Sequence, residues 1–506
     1  MKKKVSGFLC VLIAVSLISL TACSTGSKSG SSSETAPTQL TMVYLQGTST
    51  IPDLNKVITA MNGISQKQIN VTIKAVGIAP SNYAQQCRLM LTANQRIDLL
   101  MVSELPFGEW NTQVSNNQLM PLNDLITKYA PTITTLLGKF LNAGTVNKKI
   151  LGIPTLRDEA KGGGFIIRDD LVQKYHIDLS NVKSLSDLGS VFSVLKANNS
   201  GMNIFYPSQE TSAGMDASMM IPEGDNLGTD MYFTGVLMDA TDKSLKVVDY
   251  YETPQFKELA ELVRQWYLKG YVMPSALTNQ QAPPDLVKAG TLASMMYQPK
   301  PGIETQAQAQ CGTKMDVISL ATPVSSTATP SAFMWSIPSY SKYSVQAMKY
   351  LNLMYTNADL NNLWSYGIKG THYVINSDGQ ADYPSGVTAA TTGFPGLGGF
   401  VFGNQLLTLT WAGQSKTLWS DMKKFNDTAI QSVALGFQFD TTPVKTEFAA
   451  CTNVWNQYDK AINVGAVDPD TTIPVFISQL KAAGVDKIVA EKQNQLNAWA
   501  AANGVK

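Results

Sequence analysis

Residues 40–102 alternate between two kinds of segment, and that alternation restricts the fold more than any other feature of the 506-residue chain. Leu40–Leu45 and Asn70–Val76 are short and rich in β-branched or apolar residues, so both read as strands. Asp98-Leu-Leu-Met-Val102 is a short apolar run of the kind found in strands buried on both faces. Between them, Pro52–Gln68 and Tyr83–Asn94 read as helices, the second with Cys87, Met90 and Leu91 on one side. A β-α-β-α-β order predicts an α/β fold with a mainly parallel sheet covered by helices. Ligands of such sheets collect at the carboxyl ends of the strands. Those ends are Gln46-Gly47 and Ser103-Glu104.

The run closes at Ile150–Pro154, and Gly162-Gly163-Gly164 leads into a strand, Phe165–Arg168, and a helix from Asp169. The glycine triplet lacks the lysine and Ser/Thr of a phosphate loop, so it reads as a crossover. A second α/β unit is expected to about Leu320, with a hairpin from Tyr232 to Tyr251, a helix from Gln255 to Leu268 and a strand from Leu292 to Tyr297. Asp239-Ala-Thr-Asp242-Lys has half the acids of a calcium loop but neither its glycine nor its terminal glutamate, and reads as the hairpin turn. Met315–Leu320 and Ala332–Ile337 are expected strands, Val345–Met354 a helix, and Thr472–Gly504 a helical tail.

Lys2–Lys4 precede an apolar run from Phe8 to Leu20, and Leu20-Thr-Ala-Cys23 ends it. A basic start, an apolar core and small residues before a cleavage point form a secretory signal over residues 1–22. With cysteine in the last position it looks like a bacterial lipobox, which would lipidate the Cys23 thiol. The run falls short of the about 20 apolar residues a spanning helix needs. Residues 23–38 are almost entirely small and polar, as in a flexible tether. The expectation is a protein held by its lipid on the outer face of the cell membrane.

The first 22 residues carry three lysines and no acid, so the formal charge of +1 becomes −2 without them. A nearly neutral body has no basic stripe for nucleic acid and no polybasic membrane patch. Beyond Cys10 and Cys23 there remain Cys87, Cys311 and Cys451, widely spaced, as suits buried thiols. One disulfide among them stays open. Neither these cysteines nor His176 and His372 have metal-ligand spacing, so no metal or cofactor is expected.

Several later stretches carry a resemblance. They are Tyr250-Tyr-Glu-Thr-Pro254, Tyr366-Gly-Ile-Lys-Gly-Thr-His-Tyr373, Phe402-Gly-Asn-Gln405, Gly436-Phe-Gln-Phe-Asp440 with Pro443-Val-Lys-Thr-Glu447, and Ala482–Gln493. Together they resemble the extracellular solute-binding lipoproteins of carbohydrate ABC importers, family 1-like, in the subfamily whose C-terminal region is a domain of unknown function. The resemblance implies a type II periplasmic-binding-protein-like fold, with two lobes joined by hinge strands and the ligand between them. Lobe 1 would comprise 39–154 plus 325–370, and lobe 2 would comprise 155–324 plus 371–506. Crossovers are expected near Pro154–Gly164, Pro323–Thr329 and Gly370–Asp378. It also implies capture of an oligosaccharide by a monomer that delivers it to a permease and an ATPase on separate chains. The subfamily is mainly of Gram-positive bacteria.

A sugar presents C–H groups on its faces and hydroxyls at its rim, which suit aromatic rings and polar side chains respectively. Candidates at expected strand ends are Gln46, Ser103, Glu104, Trp110, Arg157 and Tyr297; later ones are Lys300, Trp335, Tyr366 and Trp411. Trp335 is also a core candidate, since Phe333, Trp335 and Ile337 alternate along one strand face. Trp266 and Trp499 sit on apolar helix faces, and His372 reads as a fold element. A peptide-binding lipoprotein is the nearest alternative, followed by a glycan-active enzyme and an adhesin. No G-x-S-x-G or H-E-x-x-H is present, so no catalysis is expected.

Overall fold

The computed structural model describes residues 36–47, 50–105, 107–199, 201–208, 215, 217–228 and 233–505. The apolar N-terminal run, Cys23 and Tyr232, the first residue of the expected hairpin, lie outside the described residues.

The opening alternation folds as its pattern dictates. Strand β1 (Thr38–Leu45) pairs in parallel with β2 (Val71–Ile78), in register from Thr38↔Val71 to Leu45↔Ile78, and with β3 (Leu99–Val102) on its other side. Helix α1 (Leu54–Ile69) buries Val57, Met61 and Ser65, spaced four apart on one face, and ends on Asn70 in the left-handed conformation. All four residues of β3 are buried, which explains why it shows no polar alternation. Each such aliphatic side chain contributes about 1.5–3 kcal/mol by leaving water.

The first sheet has the strand order Val71–Ile78, Thr38–Leu45, Leu99–Val102, Met334–Ser336, Ile153–Pro154. Met334–Ser336 runs antiparallel to both neighbours, so the sheet is mixed. The second sheet has the order Met315–Ser319, Gly164–Arg168, Leu292–Met296, Asn203–Tyr206. In it Gly164–Arg168 is antiparallel to both neighbours, and Leu292–Met296 is parallel to Asn203–Tyr206. The described part of the hairpin pairs Thr234–Val236 with Val248–Asp249.

Each sheet supports its own core. The first gathers residues from Leu40 to Leu156 and from Met334 to Phe402; the second gathers Phe165–Met315 and Ala434–Ala500. Residues 394–402 therefore pack on the first core, whereas 371–506 was expected to follow the second. The cause is aromatic: Phe402 stacks on Trp364 at 4.0 Å and 4°, and Val401 accepts a bond from the Trp335 indole. Gly403 has φ +59 and passes so close to Met354 that a Cβ would lie 2.0 Å from its carbonyl oxygen, which accounts for a glycine in the Phe402–Gln405 stretch.

The chain crosses from the first sheet to the second over 155–163 and returns over 320–333. The third passage is 404–433, not 370–378, because Val374–Ile375 and Ala381–Asp382 form a small hairpin of their own. The passages are tied together by bridges Leu156↔Asn404 and Lys161↔Val324 and by pairing of Val324–Ser325 with Ile430–Gln431. Gly162 and Gly163 end the first passage, where Gly163 accepts a backbone bond from Leu320, and Gly164 opens the next strand.

The tail is two helices, Pro469–Ala483 and Val485–Asn503, separated by Gly484. Lys492 is wholly buried; its ammonium donates to the Gly235 carbonyl at 2.9 Å and lies 5.0 Å from the centre of the Phe439 ring. Gln493 accepts from the Val247 amide and donates to the Leu245 carbonyl. The tail motif thus fastens the last helix to the hairpin. His372 is likewise structural: its Nδ1 accepts from the Ile368 amide at 2.9 Å and its Nε2 lies 3.1 Å from Asp53. Asp239 and Asp242 cap their own turn through the amides of Thr241 and Ser244. Cys87, Cys311 and Cys451 are buried and unpaired. Among the described residues no helix is long and apolar enough to cross a membrane, and no three His, Cys, Asp or Glu side chains group as a metal site.

Candidate functional site

The two sheets present their ends to the same region. β1 runs out into Gln46, β3 into Ser103 and Ile153–Pro154 into Thr155, while the antiparallel Met334–Ser336 starts just after Phe333. From the second sheet, Leu292–Met296 runs out into Tyr297 and Met315–Ser319 into Leu320, beside the start of Gly164–Arg168. This is the crevice geometry expected of strand ends.

A row of three phenyl rings marks it. Phe107 and Phe333 stack with centres 6.1 Å apart, and Phe333 meets Phe400 edge-on at 5.3 Å. Phe107 and Phe333 are half-buried and Phe400 is exposed. The Arg157 guanidinium lies over the Phe333 ring at 5.4 Å. It is held there by Asp158 at 2.6 Å and by the Thr329 carbonyl at 2.9 Å. Asp158 also receives Lys300 at 2.8 Å, so one carboxylate joins the first passage to the segment that follows Leu292–Met296 of the second sheet. Burial raises the Asp158 pKa, but the two cations outweigh it and hold the carboxyl down at about 2. Glu159, wholly buried beneath this pair, is pushed up to about 7 by burial, although Arg157 pulls the other way.

Glu104 sits at the end of β3, half-buried, with the Ser331 hydroxyl 2.6 Å from its Oε2. Burial pushes it up to about 7; the Ser331 bond opposes this, and Asp225, from the second sheet's side, adds to it. That hydroxyl also lies 2.7 Å from the Thr327 carbonyl. Its single proton serves one acceptor at a time, so a protonated Glu104 donates to Ser331 and Ser331 to Thr327.

The other sequence-derived candidates fall in different places. Gln46 is half-buried at its strand end and accepts from the Tyr44 hydroxyl at 2.9 Å. Arg157 and Lys300 join the row as described. Ser103 is fully buried, its hydroxyl donating to the Ala332 carbonyl at 2.7 Å and accepting from the Leu105 amide. Trp110 is 1 % exposed, with its indole N–H on Gln438, and Tyr297 is 4 % exposed, with its hydroxyl on Gln310; neither offers a ring face. Trp335 is at 0 % and belongs to the first core. Tyr366 and Trp411 pair at 5.2 Å in a separate cluster with Tyr373 and Tyr383. Tyr366 donates its hydroxyl to the Leu409 carbonyl.

The rings missed from sequence are Phe107, Phe333 and Phe400. Their only sequence signal is position: Phe107 follows the end of β3 by five residues and Phe333 immediately precedes a strand. Two small cavities lie at the strand ends of the second sheet. One, of about 80 Å³, is lined by Asp158, Lys161 and Lys300; the other, of about 110 Å³, is lined by Lys161, Asn226, Phe233 and Gln298.

Residues 59–395 match the family described as bacterial extracellular solute-binding protein, and residues 433–501 match a domain of unknown function (DUF3502). A carbohydrate ABC transporter substrate-binding protein of Streptococcus pneumoniae is 24 % identical over 460 residues, covering 88 % of each chain. The crystal structure of the N-glycan transport solute-binding protein NgtS from S. pneumoniae superposes with a TM-score of 0.80, at 22 % identity, covering 91 % of this chain and 98 % of that one. Complexes of NgtS with Man1GlcNAc and Man5GlcNAc, at the same identity and coverage of this chain, give 0.69 and 0.67. With a family match that spans well over half its length, this chain belongs to the bacterial extracellular solute-binding proteins.

Proposed function

We propose that this protein captures an extracellular oligosaccharide between its two sheets and delivers it to an ABC importer. The observation that carries the reading is the phenyl row at the convergent strand ends, with Arg157, Asp158 and Lys300 fixed beside it. Stacked rings suit the C–H faces of sugars, and the neighbouring polar groups suit their hydroxyls. The relatives named for carbohydrate and N-glycan transport support the same class of ligand.

Capture proceeds by closure of the two halves about the three passages. A ligand shifts such a balance only by its differential affinity for the closed arrangement, and a glycan touching both sides supplies that difference. A thermal-shift panel of neutral glycans and peptides tests the ligand class: stabilisation by glycans alone is expected, with the glycan recovered uncleaved. Stabilisation by peptides alone overturns it. X-ray scattering on adding the stabilising glycan should show a smaller radius of gyration, and an unchanged curve contradicts closure.

The tether belongs to the same reading. Cys23, after its apolar run, is lipidated and holds the protein at the outer membrane face, where a diacylated terminus supplies the two chains that stable anchoring needs. Cys23→Ala is expected to move the protein from the membrane fraction to the medium. A mutant that stays membrane-bound, with no lipid mass on the wild type, contradicts this.

A further inference from the structure

A second groove lies where the helix Trp110–Ser115 and the turn after Thr145–Val146 face the last tail helix. It has a volume of about 480 Å³ and shares no lining residue with the two cavities beside the phenyl row. An adjoining space of about 320 Å³ extends it past Trp499. That size falls in the roughly 300–1,000 Å³ range of small-molecule sites.

The lining has a definite chemistry. The larger space is bordered by no Lys, Arg, His or Glu, and its one acid, Asp440, has an oxygen bound to the Thr442 amide at 2.9 Å. Trp499 is half-buried and fixed edge-on against Phe437 at 6.0 Å. Gln438 anchors the floor by donating to the Ala143 carbonyl at 2.7 Å and bonding the Trp110 indole. Gln495 stiffens the rim through both the amide and the carbonyl of Asp440. Asn111 and Asn147 line the opposite wall. An indole on one wall, asparagines on the other and a single carboxylate already bound to a backbone amide fit a ligand with apolar faces and a hydroxyl rim.

We infer that this groove is a second binding site, for an uncharged oligosaccharide. It goes beyond the cleft reading and shares with it only the class of ligand. The occupant touches the first core's helix and the second core's tail at once, so its binding is linked to the arrangement of the two halves, and by reciprocity to ligand in the cleft.

The test uses the purified full chain and Man5GlcNAc. The Trp499 indole N–H resonance, assigned by its loss in Trp499→Phe, is followed during titration of wild type and of Phe333→Ala. The expected result is a saturable shift of that resonance in both proteins, with an affinity at least threefold weaker in Asn111→Ala. Asn111 is exposed at the start of its helix, so its replacement leaves folding intact. A resonance that stays still at millimolar glycan overturns the groove site, whether or not the cleft binds. A shift that persists in Phe333→Ala once cleft binding is weakened upholds the groove as a site independent of the phenyl row.

Discussion

Trp335→Ala is expected to lower the unfolding free energy by about 3–5 kcal/mol, as for a large aromatic removed from a close-packed core. Its ring has no exposure and lies 5.9 Å from Phe402, which stacks on Trp364. Its indole donates to the Val401 carbonyl at 2.8 Å, so truncation leaves a cavity and an unpaired buried acceptor together. It also loosens the contact that keeps residues 394–402 on the first core, and with them Phe400. Chemical denaturation measures the loss, and a change below about 1 kcal/mol contradicts the core assignment. Phe333, two residues earlier, is half-buried, and its truncation should cost distinctly less stability.

Asp158→Ala is expected to be nearly as damaging, at about 3 kcal/mol, the low end for removing one partner of a buried ion pair. The Arg157 and Asp158 side chains retain only 12 % and 18 % exposure, and the Lys300 side chain retains 31 %. Lys300 can turn to water once freed, but Arg157 remains enclosed between Phe333 and the Thr329 carbonyl. The same pair sets an acid limit. Asp158 has its pKa lowered on folding to about 2, so its stabilisation is complete above the ordinary carboxylate pKa of about 4 and is lost as pH falls through about 2. Melting temperatures between pH 5 and pH 2 should therefore fall more steeply for wild type than for Asp158→Asn. Parallel profiles would remove the ion pair from the account.

Much of the fold was legible because local pattern and burial agree. The apolar run at 99–102 could only be a buried strand, and the four-residue spacing of Val57, Met61 and Ser65 gives one helix face. The phenyl row was not legible, because it depends on strand direction. Phe333 reaches the ligand end of the sheet only because Met334–Ser336 runs antiparallel to β3, and a strand of three residues carries no mark of its direction. Trp110 and Tyr297 were reasonable residue types at correctly read strand ends. Their burial is decided by Gln438 and Gln310, one of them 328 residues away in the chain. Lys492 hides in the same way, since a lysine on a tail helix reads as surface until the Gly235 carbonyl meets it.

The account stands most directly on the phenyl row as the surface that holds a glycan. Calorimetric titration of the glycan that stabilises the protein in the thermal-shift panel, into wild type and into Phe333→Ala, with Tyr297→Phe as a variant that keeps its buried ring, measures this. The prediction is a fall in cleft affinity of about 1–3 kcal/mol for Phe333→Ala, the range for a central anchor residue, and no change for Tyr297→Phe. Equal affinity in wild type and Phe333→Ala, with both proteins folded, would contradict it.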